Sequence, residues 1–373
     1  MMLSYCSNVV AAENMSALEQ RLATVFAPAR ELAGVETLGV GLWLPARTMA
    51  GLADDPAARR RLAAILAHHG LAVVTMNAFP YGSFHGTSVK HAVYRPDWTT
   101  PERIAYTRCC AEVLSELLGD TDHGTISTLP LGWAEQWSAD AEAAALRNLS
   151  ALGDELRQIE EHTGRRIRLA IEPEPGCVIG SCRDAIEWFG RANLDPRYLG
   201  LCLDTCHLAV MHETPGEVVS GLAGIGVEVV KIQASNAIQI DDLADERVGQ
   251  AFAELSGSPY LHQVNGVTGD GQPWFRDDLS FADPSIPRSG SARVHYHVPL
   301  HLDPPAPLRT TAHILAEVMT MFSNGTLSER ADVEVETYTW EVLPASLRKA
   351  SLAEDIAGEI GWLDQLLRVG DPA

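Results

Sequence analysis

Three stretches of this chain end an apolar run in residues that can ionise. Residues 169–177, LAIEPEPGC, carry Glu172 and Glu174. Residues 199–207, LGLCLDTCH, end in Asp204 and His207. Residues 332–340, DVEVETYTW, carry Glu334 and Glu336. Each run has the length of a buried strand, with carboxylates toward its C-terminal end. Carboxylates are rarely left in such runs unless they are paired or bound to a metal. Glu172, Asp204 and Glu336 together make a hard, oxygen-rich cation site. His207 adds a nitrogen ligand or a contact to a substrate hydroxyl. Mixed carboxylate and imidazole ligation suits Mn, Mg, Co, Fe or Zn, and residue type alone does not choose among them. Glu174 and Glu334 lie two residues from Glu172 and Glu336, so strand alternation puts both members of a pair on one side. They stand behind the ligands or open the next helix. The plainer alternative is that each carboxylate caps a helix or pairs with Arg.

Residues so far apart meet only if the strands that carry them converge. Strand patterns fall at 3–10, 35–44, 71–77, 125–130, 168–172, 200–204, 227–234 and 333–336. Helical patterns fall at 16–33, about 56–69, 101–118, 140–163, 184–192, 215–222, 307–322 and 347–367. Eight strand-then-helix units predict a (β/α)8 TIM barrel as a single domain over residues 1–373. A doubly wound open sheet is the alternative, lowered by the lack of a G-x-G-x-x-G turn after the first strand. In a barrel the C-terminal strand ends share one face, where active sites sit. An insertion at about 235–304 breaks the rhythm between strand seven and helix seven. It holds an extended segment, 293–302, RVHYHVPLHL.

The loop 78–98 carries Phe79, Tyr81, Phe84, His85, Tyr94 and Trp98 and reads as a lid. His85 and Trp98 are expected against the substrate, with Lys90 and Arg95 binding an anionic group. The alternative is a loop packed on the barrel or on a partner subunit. Seven cysteines with no C-x-x-C suggest a reducing compartment and packed thiols. The first basic residue is Arg21, after Glu13, which argues against a signal peptide and for the cytoplasm. No apolar run reaches membrane-spanning length. The net charge of -21, from 49 acidic and 28 basic residues, repels nucleic acid and anionic membranes. A small substrate is therefore expected, and a homo-oligomer or partners of the same pathway stay open.

IEPEPG at 171–176, CLDTCH at 202–207 and VEVETYT at 333–339 resemble the metal-site motifs of the xylose-isomerase-like barrel superfamily of sugar phosphate isomerases and epimerases. The resemblance spans nearly the whole chain. VETYTWEVLP at 335–344, with HYHVPLH at 295–301, more narrowly resembles the EboE group of metabolite-traffic proteins. In the superfamily, strand five gives Glu, strand six Asp with His three later, strand seven His and strand eight Glu. The resemblance implies Glu172, Asp204 with His207, and Glu336, and prefers them to Glu174 and Glu334. At strand seven, VVKIQASNA has Gln233 where the superfamily usually has His. Gln233 is then a weaker ligand, or a histidine of the insertion replaces it. His295, His297 and His301 share a face of an extended segment, and His262 also lies in the insertion. His297 is the expected replacement ligand, and His295 is expected to bind substrate.

Two carboxylates across a substrate can remove and return a proton α to a carbonyl. The first functional reading is thus a metal-dependent isomerase or epimerase of a small polyol or carbonyl metabolite. Glu172 and Glu336 would exchange the proton, and His207 would position a hydroxyl. The second is a metal-dependent hydrolase or iron oxygenase using more His ligands. The third is a non-catalytic protein that carries a metabolite.

Overall fold

The computed structural model of the protein describes residues 2–82, 90–255, 262–281, 283–340, 343 and 347–369. Seven parallel strands come first: β1 (Leu3–Cys6), β2 (Leu38–Leu42), β3 (Leu71–Asn77), β4 (His123–Thr128), β5 (Arg166–Ile171), β6 (Leu199–Asp204) and β7 (Val229–Ala234). Five strands follow in the inserted span: β8 (Asn236–Ile240), β9 (Val264–Thr268), β10 (Pro273–Arg276), β11 (Gly290–Val298) and β12 (Arg309–Thr310). The last strand, β13 (Asp332–Val335), closes a barrel in the order β1-β13-β7-β6-β5-β4-β3-β2. All of its neighbours run parallel. The barrel expectation holds. The strands are nearly continuous buried runs because helices cover them outside and side chains fill them inside.

The helices follow the patterns with local differences. Helical backbone runs from Met15 to Ala33, interrupted by a π stretch at Leu22–Phe26. A helix at Ala46–Asp54 occupies a span that carried no element in the sequence reading. Asp55 then caps the next helix, Pro56–His68, accepting from the Ala57 and Ala58 amides. The long helix Ala139–Thr163 ends on Gly164 at φ 72°, a left-handed turn that suits glycine. After β6 the backbone does not stay extended. A short helix, Thr205–Val210, carries Cys206 and His207, and Asp204 Oδ1 caps it by accepting from the His207 amide at 2.9 Å.

Ser235 alone separates β7 from β8. The inserted strands form one antiparallel sheet in the order β10-β9-β11-β8-β12. Because β8 leaves directly from the C-terminal end of β7, this sheet starts at the same end of the barrel as Glu172, Asp204 and Glu336.

Below that end, the barrel interior holds an ion pair. Lys231 Nζ lies 2.7 Å from Glu334 Oε2, and neither side chain has any exposure. Lys231 also donates to Asn77 Oδ1 at 3.1 Å and Ser127 Oγ at 3.3 Å, while Asn77 Nδ2 donates to Glu334 Oε1 at 3.0 Å. Burial alone would discharge Lys231, but the Glu334 carboxylate outweighs it and raises the lysine pKa. Room for the carboxylate comes from Gly41, where a Cβ would stand 1.2 Å from Glu334 Oε1. Glu334 is thereby tied to the barrel centre rather than to the mouth. We expect Lys231→Met to cost about 3–5 kcal/mol, because it leaves a buried carboxylate without its counter-charge. Chemical denaturation checks this, and an unchanged unfolding free energy would show that Glu334 is neutralised some other way. Gly41→Ala should destabilise by displacing the same carboxylate.

Candidate metal centre

Glu172 and Glu336 each stand one residue past a barrel strand, β5 and β13, and Asp204 is the last residue of β6. Backbone bonds hold the first two in register: the Glu172 amide donates to the Thr128 carbonyl and the Glu336 amide to the Ala234 carbonyl, both at 3.1 Å. One carboxylate oxygen from each of Glu172, Asp204 and Glu336 lies within 4.8 Å of the others. All three residues are buried. Asp204, His207 and His297 also bring one ligand atom each within 4.8 Å of one another.

Their outer atoms are held by the protein. Asn8 Nδ2 donates to Glu336 Oε1 at 2.7 Å. Ser235 Oγ donates to Asp204 Oδ1 at 2.9 Å. His297, from β11, gives its Nδ1 proton to the Glu336 carbonyl at 2.8 Å, so its Nε2 is a lone pair. That lone pair faces Asp204 Oδ2 at 3.9 Å. Glu172 Oε2, Asp204 Oδ2 and His297 Nε2 are buried and accept no hydrogen bond from the described residues. Buried polar atoms without partners are costly and uncommon. Here all three are electron-pair donors of the kind a hard or borderline divalent cation takes.

The electrostatics agree with the donor set. Burial, then the charges of Glu336, Asp204 and Glu174, pushes the Glu172 carboxyl well up. Burial, then Asp204 and Glu334, does the same to Glu336. Burial lowers the His297 pKa and keeps the imidazole neutral, the form that ligates.

Other expected residues sit differently. Gln233 does not offer a free oxygen: its Oε1 accepts from the Cys202 thiol at 3.0 Å, and its Nε2 donates to Asn77 Oδ1 at 3.3 Å. Its register neighbours are Asp204 on one side and Glu334 on the other, which places it in the polar layer below the mouth. His207 is not free to hold a substrate hydroxyl. Its Nδ1 donates to the Pro173 carbonyl at 2.9 Å, and its Nε2 faces His295 at 3.1 Å and Glu174 at 3.3 Å. His295 is likewise taken, with Nδ1 on Gln263 Oε1 at 2.8 Å. Pro299 ends β11, so His301 falls past the strand and stacks toward Trp340 instead of joining His295 and His297. His262 lies against Phe252 and Tyr296.

Trp98 is a core residue, not a substrate contact. It has no exposure, and its indole N–H donates to Thr128 Oγ1 and the Leu129 carbonyl, each at 3.2 Å. Its aromatic character reported packing behind β4. His85 and the Lys90 side chain lie outside the described residues. Arg95 is exposed, with Asp97 at 4.0 Å. From the same segment Tyr94 does reach the mouth, donating to Glu174 Oε1 at 2.8 Å. Sequence reasoning missed Asn8, Ser235 and Gln263. Asn8 lies two residues past β1 and Ser235 one past β7, so the rule that strand ends gather at one face could have found them. Gln263 sits in the insertion, where no periodic pattern points to it.

Comparison with known proteins places this geometry. The family described as xylose isomerase-like TIM barrel matches residues 26–265. No curated protein matches the sequence. Among solved structures, an IolI protein described with a bound zinc atom aligns at 14% identity and a TM-score of 0.50, covering 100% of each chain. A D-tagatose 3-epimerase-like protein aligns at 14% identity and 0.51, covering 99% of this chain and 98% of its own. A xylose isomerase domain protein from Alicyclobacillus acidocaldarius subsp. acidocaldarius aligns at 11% identity and 0.52, covering 99% of each chain. At such identities these likenesses speak for the fold. With the family match spanning well over half its length and the closed barrel beneath it, the chain belongs to the xylose isomerase-like TIM barrel family.

Proposed function

We propose that the protein is a metal-dependent isomerase or epimerase of a small polyol or carbonyl metabolite. The observation that carries this reading is the cluster of Glu172, Asp204 and Glu336, one oxygen of each within 4.8 Å of the others, with Glu172 Oε2 and Asp204 Oδ2 buried and without a hydrogen bond from the described residues and His297 Nε2 3.9 Å from Asp204. Glu172, Asp204, Glu336 and His297 would hold one divalent cation. Bound there, it would polarise adjacent substrate oxygens and acidify the proton α to a carbonyl. Glu172, starting ionised, would remove that proton, and Glu336, starting protonated, would return one, so the substrate keeps its atoms and charge while the two carboxyls exchange protonation states. Asn8 and the His297 ring fix the position of Glu336, and burial keeps bulk water from quenching the intermediate.

The zinc described for the IolI protein and the D-tagatose 3-epimerase-like neighbour support a metal and this reaction class. The net charge of -21 favours a substrate that is small and not highly anionic. No described helix is long and apolar enough to cross a membrane. All seven cysteines are free thiols, which supports placement in a reducing compartment such as the cytoplasm. The narrower likeness to the EboE group supports a role inside a metabolite pathway. A second reading, a metal-dependent hydrolase or iron oxygenase, rests on the crowding of His207, His295 and His297, whose ring centroids lie 4.6–5.6 Å apart.

Two tests follow. Glu336→Gln and Asp204→Asn should lose most bound metal with unchanged circular dichroism, and Asn8→Ala should weaken binding about 10–100-fold by releasing Glu336. Incubation with ketoses, aldoses and inososes in deuterated water should place deuterium α to a carbonyl, read by NMR, and Glu172→Gln should abolish it. Oxygen consumption or bond hydrolysis in place of exchange would select the second reading.

A pH dependence also follows. Acids whose folded pKa is raised add stability that is full below their unfolded pKa, about 4, and lost as pH rises through the folded value. Metal-stripped wild type should therefore lose thermal stability relative to Glu336→Gln as pH climbs above the ordinary carboxyl range of about 4. Saturating metal should reverse the difference, because it stabilises only the protein that still binds it. Parallel curves for the two proteins would show that these carboxyls are not strained together in the metal-free state.

A further inference from the structure

We propose that Glu359 is a positioning residue for the metal centre, setting the relative place of the segments that deliver Glu336, His297 and Asn8. This rests on the metal-dependent reading above and adds to it a residue outside the ligand set. Glu359 lies in the last helix, Leu352–Val369, and has no exposure. Four donors converge on its carboxylate, two on each oxygen. Oε2 accepts from the Tyr5 hydroxyl at 2.6 Å and the Trp340 indole at 2.8 Å. Oε1 accepts from Thr337 Oγ1 at 2.7 Å and the Leu300 amide at 2.9 Å. An ionised carboxylate is acceptor-only, with about four lone-pair sites, so this set fills it. Burial raises the Glu359 pKa, and all four hydrogen bonds work against that rise.

The donors come from three distant parts of the chain, and each part carries a residue of the metal centre. Tyr5 belongs to β1, three residues before Asn8, which holds Glu336 Oε1. Thr337 follows Glu336 directly, and Trp340 lies three residues further on. Leu300 lies three residues past His297, just beyond β11. Closer to the mouth the same segments bond to one another. His297 Nδ1 donates to the Glu336 carbonyl at 2.8 Å, and Thr339 Oγ1 donates to the His297 carbonyl. Asn236 Nδ2 holds the Leu300 carbonyl at 3.0 Å. One carboxylate thus joins the first strand, the turn after the last strand and the inserted sheet.

Packing alone does not call for an acid at this place. A buried carboxylate is costly to desolvate, and well-packed apolar residues commonly serve a core as well or better. An apolar residue would supply no direction, whereas four hydrogen bonds fix where each donor segment stands. Ligand constellations have to be held within about 0.5 Å of their working geometry. Glu336 stands one residue beyond β13 and His297 comes from outside the barrel, so the strand ladder of the barrel does not fix these two relative to each other. Glu359 does so from behind.

The test uses the full chain, stripped with chelator, then titrated with Zn²⁺ against a chromophoric chelator and with Co²⁺ for its visible absorption. Glu359→Gln places an amide NH₂ among donors. It should keep native circular dichroism, weaken binding about 10-fold and shift the Co²⁺ bands. Thr337→Val removes one bond beside Glu336 and should act in the same direction, but less. Glu142→Gln is the control for stability alone: Glu142, on a different helix, accepts from the indoles of Trp137 at 3.0 Å and Trp188 at 2.7 Å. It should lower the melting temperature and leave Zn²⁺ affinity and the Co²⁺ spectrum unchanged. If Glu359→Gln does not fold, Thr337→Val and Tyr5→Phe carry the measurement. Wild-type affinity and spectrum in the folded variants would overturn the proposal, as would an equal loss in Glu142→Gln, and either result leaves the metal centre standing. A wild-type chain that binds neither ion overturns the metal centre and this inference with it.

Discussion

Negative charge gathered where water cannot reach it governs the mouth of this barrel. Glu172, Glu174, Asp204 and Glu336 are all buried there. Burial and mutual repulsion raise the pKa of Glu172 and Glu336. A fold tolerates such a cluster only if something offsets it. Part of the answer is hydrogen bonds from Asn8, Ser235, Tyr94 and Gln263, which occupy the outer oxygens. They leave Glu172 Oε2 and Asp204 Oδ2 bare, in residues that each bring one oxygen within 4.8 Å of the others. The proposed cation would complete the balance.

One cation is built into the chain nearby, and it is already engaged. Lys231 sits inside the barrel against Glu334, with Asn77 and Ser127 taking its remaining protons. The interior is therefore divided by height. Below, a carboxylate and an ammonium cancel within the protein. Above, carboxylates and neutral imidazoles remain uncancelled. Gln233, between the two layers, turns its amide toward Cys202 and Asn77 and so belongs to the lower one.

The sequence made the barrel and its carboxylates legible because both are written in local pattern. Apolar runs ending in Glu172, Asp204 and Glu336 stand out wherever such strands converge. Choosing Glu336 over Glu334 needed the family resemblance, since alternation treats them alike, and only Lys231 and Gly41 show why they differ. His297 was singled out because the resemblance leaves a gap at Gln233, and β11 brings its Nε2 to 3.9 Å from Asp204 Oδ2. Trp98 was misread because an aromatic residue in a loop signals burial without saying against what. The helix at Thr205–Val210 and the orientation of Gln263 depend on contacts between distant elements, which spacing cannot express.

The junction at Ser235 has a further consequence. Its hydroxyl donates to Asp204, and it also accepts from the Cys206 amide at 2.9 Å. The accessory sheet leaves the barrel at the residue that steadies a central carboxylate, and β11 returns two imidazoles to the same place. Such a sheet is not an ornament that could be trimmed to recover a minimal ancestor. Its excision would take His295 and His297 from the mouth and leave His207 as the imidazole beside the carboxylates.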